Sequence, residues 1–100
     1  MGFKELLFVV EQFVTGLKQY ANVEHAGNCL TMSELVSDFL LLHNIKTNVI
    51  NVDVLDDSNK VNHYCLKTDS GLIIDPTCSQ FKAMPTVYIG KMPTNYTLKN

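Results

Sequence analysis

Val61-Asn62-His63-Tyr64-Cys65-Leu66-Lys67-Thr68-Asp69-Ser70-Gly71-Leu72-Ile73-Ile74-Asp75-Pro76 reads as two strands and the turn that joins them. Val61, His63 and Cys65 alternate with Tyr64 and Leu66, the period-two pattern of a strand with two different faces. Asp69-Ser70-Gly71 is a three-residue hairpin loop, with glycine where a positive φ is needed. Pro76 has no N–H to donate and ends the second strand. With Thr68 opposite Leu72, Cys65 opposes Asp75, and His63 is its diagonal neighbour on the same face. Diagonal neighbours lie roughly 7–8 Å apart at Cα, within reach of long side chains. A slip of two residues would set His63 directly opposite Asp75. Only an odd slip separates the pair.

Upstream of this hairpin, Asn48, Ile50, Val52 and Val54 alternate with more polar positions, so Thr47 to Val54 is a half-buried strand. Asp56-Asp57-Ser58-Asn59 is a turn by composition. Further back, Phe3, Leu6, Leu7, Val10, Phe13, Val14 and Leu17 recur at helical spacing and predict an amphipathic helix from Phe3 to Tyr20. Phe8 and Val9 widen its apolar face, which suits packing on two sides. Ala21 to Asn28 is a polar linker. A second helix runs from Cys29 to Leu42, with Cys29, Met32, Ser33, Val36 and Leu40 on one face. His43 sits at its C-terminus as a dipole partner, and Asn44-Ile45-Lys46 turns the chain into the first strand. Downstream, Thr77 to Pro85 reads as a loop, Thr86 to Gly90 as a short last strand and Lys91 to Asn100 as a polar tail. The fold class is α+β, with N-terminal helices packed on a small antiparallel sheet.

At 100 residues the chain forms one domain, 1–100. Its 46% hydrophobic and 18% charged content places it among ordinary globular proteins rather than disordered ones. A formal net charge of −2 gives no basic footprint for nucleic acid. No apolar run reaches the roughly 18 residues of a membrane span, and the first residues do not read as a signal peptide. Cys29, Cys65 and Cys78 are an odd number without paired spacing, so neither a disulfide framework nor a zinc site explains them. Reduced thiols suit action in a reducing cytoplasm.

The chemistry centres on Cys29. With Asn28 as N-cap the cysteine falls in the first turn of a helix, where the macrodipole favours a thiolate. Thr31-Met32-Ser33-Glu34 also fits a capping box, which would start the helix later and leave Cys29 in the preceding loop. His25, four residues before the cysteine, is a loop histidine that nothing orients. Cys29, His63 and Asp75 supply a nucleophile, a base and an orienter for that base.

Gly27-Asn28-Cys29 opening a helix, His63 beginning a strand, and Asp75-Pro76-Thr77 followed by Gln80-Phe81 resemble the papain-like and transglutaminase-like cysteine superfamily. The resemblance spans Gly27 to Phe81; small members serve as bacterial toxin or effector domains, and His63-Tyr64 followed by Asp75-Pro76-Thr77 and Gln80-Phe81 is similar to their second half. It implies a papain-like minimal core, Cys29 as nucleophile, His63 as general base and acid, Asp75 as orienter, and the Cys29 N–H as part of an oxyanion hole. It also implies a protein or peptide amide substrate, a cognate inhibitor or immunity protein as partner, and delivery into a target cell as part of a larger protein. There are departures. Papain has a glutamine six residues before its cysteine, where Val23 stands here without a side-chain donor; Asn22 and Asn28 are the nearby substitutes. The Cys-Gly-Ser-Cys-Trp signature and a two-lobed cleft are missing.

The chemistry expected is attack of the Cys29 thiolate on an amide carbonyl to give a thioester. Water then resolves it, as in a peptidase or glutamine deamidase, or an amine does, as in a transglutaminase. The pair needs no metal or cofactor. The competing expectation is a binding protein that keeps the fold without the chemistry.

Overall fold

The computed structural model describes residues 2–20, 28–81 and 84–99. Its centre is the hairpin of β2 (Asn59–Thr68) and β3 (Ile73–Asp75). Leu66 pairs with Ile74 and Lys67 with Ile73, which is the register that sets Thr68 opposite Leu72. Thr68 N–H donates to Leu72 O at 2.9 Å and Gly71 N–H to Thr68 O at 3.0 Å. Gly71 has φ +91°, the left-handed conformation the loop demands.

β1 (Thr47–Asp56) pairs with β2 along its whole length, from Thr47↔Thr68 to Asp56↔Asn59. β4 (Tyr88–Gly90) adds to the outer side of β3, and β5 (Tyr96–Lys99) to the outer side of β1. The sheet is antiparallel throughout, in the order β4-β3-β2-β1-β5. Two corrections arise here. The expected polar tail contains β5, and the strand expected from Thr86 begins at Tyr88. Of the four β5 residues only Tyr96 is buried, so an alternating pattern had almost nothing to show.

α1 (Phe3–Tyr20) buries Leu6, Val10 and Val14 on one stripe, while Phe8 is 63% exposed, so the widened apolar face is left uncovered there. α2 (Cys29–Leu41) begins where Met32 N–H donates to Asn28 O at 2.8 Å. The later start allowed by the capping box is therefore not taken, and Cys29 is the first helical residue. The Asn28 side chain makes no capping bond. Asn44, at φ 62°, terminates the helix: Ile45 N–H bonds to Leu40 O and Asn44 N–H to Leu41 O, the paired bonds of a Schellman motif. His43 packs edge-on against Phe39 at 4.9 Å.

Two cores result. Leu6, Val10, Val14, Met32, Val36 and Leu40 of the helices pack on Leu66, Ile74 and Ile89 of one sheet face. On the other face Val52, Val54, Cys65 and Ile73 pack with Phe81 and Tyr96, joined by Met84 and Met92 from the segments flanking β4. The helices thus cover one face, and the chain after β3 covers much of the other. No helix among the described residues is long and apolar enough to cross a membrane.

Candidate functional site

His63 and Asp75 lie in the second core. The register makes them diagonal neighbours across β2 and β3, and their side chains meet there. His63 Nε2 lies 2.8 Å from Asp75 Oδ2, with the two residues 1% and 0% exposed. A buried carboxylate accepts, so Nε2 carries the proton and donates.

The rest of the carboxylate is satisfied as completely. Thr77 N–H donates to Oδ1 at 3.0 Å, with the Thr77 hydroxyl at 3.5 Å. This Asx turn follows from Asp-Pro-Thr: Pro76 turns the chain out of β3 and returns Thr77 over the aspartate. Tyr96 Oη donates to Oδ2 at 2.5 Å, beside the imidazole. β5 and β3 are three strand spacings apart, about 14–15 Å in a flat sheet. Their side chains meet only because the sheet coils toward this face. Burial, then the charge on Asp75 and the hydrogen bond to it, push the Tyr96 phenol far above its ordinary range, so it remains a donor.

The other ring nitrogen faces a weaker partner. Gln80 Nε2–H donates to His63 Nδ1 at 3.4 Å and also to Thr77 O at 3.0 Å. Gln80 is exposed and stands in the 3-10 turn Cys78–Gln80. Phe81 packs edge-on against the imidazole at 4.9 Å, and Tyr96 at 6.0 Å. With Nε2 committed to Asp75, Nδ1 is the nitrogen left to act as a base.

Cys29 is half-buried at the first turn of α2. Its N–H is one of the helix-start donors that have no intrahelical acceptor. One turn further on, Ser33 Oγ donates to Tyr64 O at 3.3 Å, so this end of α2 lies over the middle of β2. Among the described residues no hydrogen bond joins Cys29 to His63. Charge on Cys29 is one of the smaller causes that raise Cys65, which follows His63 on the same face of β2. The structure thus brings His63 and Asp75 into contact, while Cys29 stands at the start of α2 with no hydrogen bond to either among the described residues. Asn22, Val23, His25 and Gly27 lie outside the described residues.

The two remaining thiols are inert. Burial, then the charges of Asp75, Cys29 and Cys78, push Cys65 far up. Burial first and Asp75 second push Cys78 up to about 12, and its Sγ–H donates to Pro85 O at 3.0 Å. Among the described residues no three His, Cys, Asp or Glu side chains gather as metal ligands. Tyr96 is the residue of this cluster that the sequence did not reveal; the one available signal was an aromatic residue inside an otherwise polar segment. No family model, curated protein or solved structure matches the chain.

Proposed function

We propose that this protein is a cysteine-dependent amide hydrolase or acyltransferase in which Cys29 is the nucleophile, His63 the general base and acid, and Asp75 the residue that orients His63. The observation that carries the reading is the buried His63–Asp75 pair, which commits Nε2 and leaves Nδ1 as the ring nitrogen facing away from the carboxylate. Among the described residues Nδ1 has one hydrogen-bond partner, the exposed Gln80 at 3.4 Å, a long contact that substrate binding can displace. The position of Cys29 adds support, because the N-terminus of α2 stabilises a thiolate and presents beside it an N–H that has no intrahelical acceptor.

In the proposed reaction the thiolate attacks an amide carbonyl. Charge on the tetrahedral oxygen is met by the Cys29 N–H. Imidazolium His63 gives its proton to the departing amine, and the thioester then passes to water or to a second amine.

A second reading has its own observation. The His63 ring is 1% exposed and wedged between Phe81 and Tyr96, which is also how a purely structural polar core is built. One experiment separates the two: incubation with glutamine-containing peptides, measuring ammonia, new peptide termini and amine incorporation. The enzyme reading expects one of these activities in the wild type and none in Cys29→Ala. An activity untouched by Cys29→Ala would overturn it.

A further inference from the structure

We infer that Tyr96 is a positioning residue that regulates how tightly His63 holds a proton, by sharing Asp75 Oδ2 with it. Thr77 fixes one carboxylate oxygen, and Tyr96 and His63 divide the other. The Tyr96 hydroxyl at 2.5 Å draws negative charge toward itself. Without it that charge would face the imidazole alone. A histidine set against such a carboxylate in a dry core keeps its proton, which suits an ion pair but not a group that must take and release protons. Tyr96 therefore weakens the hold of Asp75 on the imidazolium and leaves the ring able to cycle.

The surroundings make this carboxylate the dominant charge at the ring. Asp75 comes from β3 and Tyr96 from β5. On β2 itself is Cys65, and from the 3-10 turn come Cys78 and Gln80. Cys65 and Cys78 are both pushed up and stay protonated. Val52 of β1, paired with His63, and Phe81 are apolar. From α2, Cys29 is felt at Cys65. Because Tyr96 begins β5, whose other residues are exposed, the C-terminal strand reaches the site through this residue's ring and hydroxyl.

The test uses Tyr96→Phe, which keeps both ring contacts and removes only the donor. The His63 ring is followed by 15N NMR across pH, and in parallel the pH profile of Cys29 alkylation is recorded. Removing the donor should move the ring titration up by about half a pH unit, roughly threefold in proton affinity. The alkylation arm rests on the proposed Cys29–His63 pairing: a better-held imidazolium should move the acid limb of thiolate reactivity down. A ring shift with an unmoved alkylation profile would uphold the role of Tyr96 and count against the pairing alone. A ring titration that stays in place or moves down would overturn the inference, as would a loss of thermal stability unaccompanied by an upward shift. The wild type offers a second measurement if the variant folds poorly: a slowly exchanging Tyr96 hydroxyl proton with a cross-peak to the His63 ring. Its absence would equally overturn the role.

Discussion

Asp75→Asn replaces a carboxylate that accepts on both oxygens with an amide that accepts on only one. Thr77 N–H is a backbone donor that cannot turn away, so the amide oxygen takes the Oδ1 position. The amide NH₂ then faces His63 Nε2 and Tyr96 Oη, where Oδ2 had accepted from both. Tyr96 can rotate its hydroxyl. His63 can meet an incoming N–H only by moving its own proton to Nδ1, and that new N–H meets the Gln80 amide nitrogen donor-to-donor, so Gln80 must flip. Hydrogen bonds to charged groups are worth about 1.5–3 kcal/mol each, and relief of carboxylate desolvation offsets part of the loss. The expected net destabilisation is about 2–3 kcal/mol in urea unfolding, a fall in Tm on the order of 15 °C. Ring 15N spectra should show the His63 proton on Nε2 in wild type and on Nδ1 in the variant, with Cys29 alkylation near neutral pH falling at least tenfold. A variant within about 0.5 kcal/mol of wild type, with the proton still on Nε2, would refute the hydrogen-bond reasoning.

Other outcomes follow from the same contacts. Cys78 is held at about 12 against an ordinary 9.0, so the unfolded chain gives up its proton first. Stability should therefore be whole below about pH 9 and fall as pH rises toward 12, by up to about 1.4 kcal/mol per pH unit for this thiol. Cys65 and Tyr96 are raised and add losses of the same sign, so urea midpoints that stay flat from pH 8 to 11 would contradict these assignments. Gly71→Ala should cost about 1 kcal/mol from backbone strain alone, since no atom lies within 4 Å of the added Cβ, and Gly71→Asn should cost less. Equal urea midpoints for Gly71→Ala and wild type would refute that. Cys29→Ser should leave circular dichroism and Tm close to wild type, because a small polar residue suits the first turn of α2; loss of cooperative unfolding would show that Cys29 packs rather than reacts.

Much of the architecture was legible because it is local. The apolar stripe of α1 and the Asp69-Ser70-Gly71 loop each determine their own geometry, and the loop in turn fixes the register that joins His63 to Asp75. The start of α2 was open between two patterns, and the Asn28 carbonyl, not its side chain, decides it. Period-two alternation put Cys65 and Leu66 on opposite faces but could not say which face the helices cover, since both carry apolar residues. Tyr96 was invisible for a different reason. Its partner lies three strands away, and only the coil of the whole sheet brings the two together. How Cys29 stands toward His63 is likewise a matter of tertiary packing, which neither helix-start chemistry nor strand register dictates.

In the proposed function the fold activates Cys29. Comparing Cys29 with Cys65 and Cys78 is a blunt test, because those two are buried and would react slowly in any case. The direct measurement is the iodoacetamide rate constant of Cys29 at pH 6, in the folded chain and in the same chain unfolded in urea. An ordinary thiol is almost wholly protonated at that pH, so the unfolded rate is low. Alkylation in the folded protein should be at least tenfold faster, with the advantage lost in His63→Ala. A folded rate at or below the unfolded rate would contradict it.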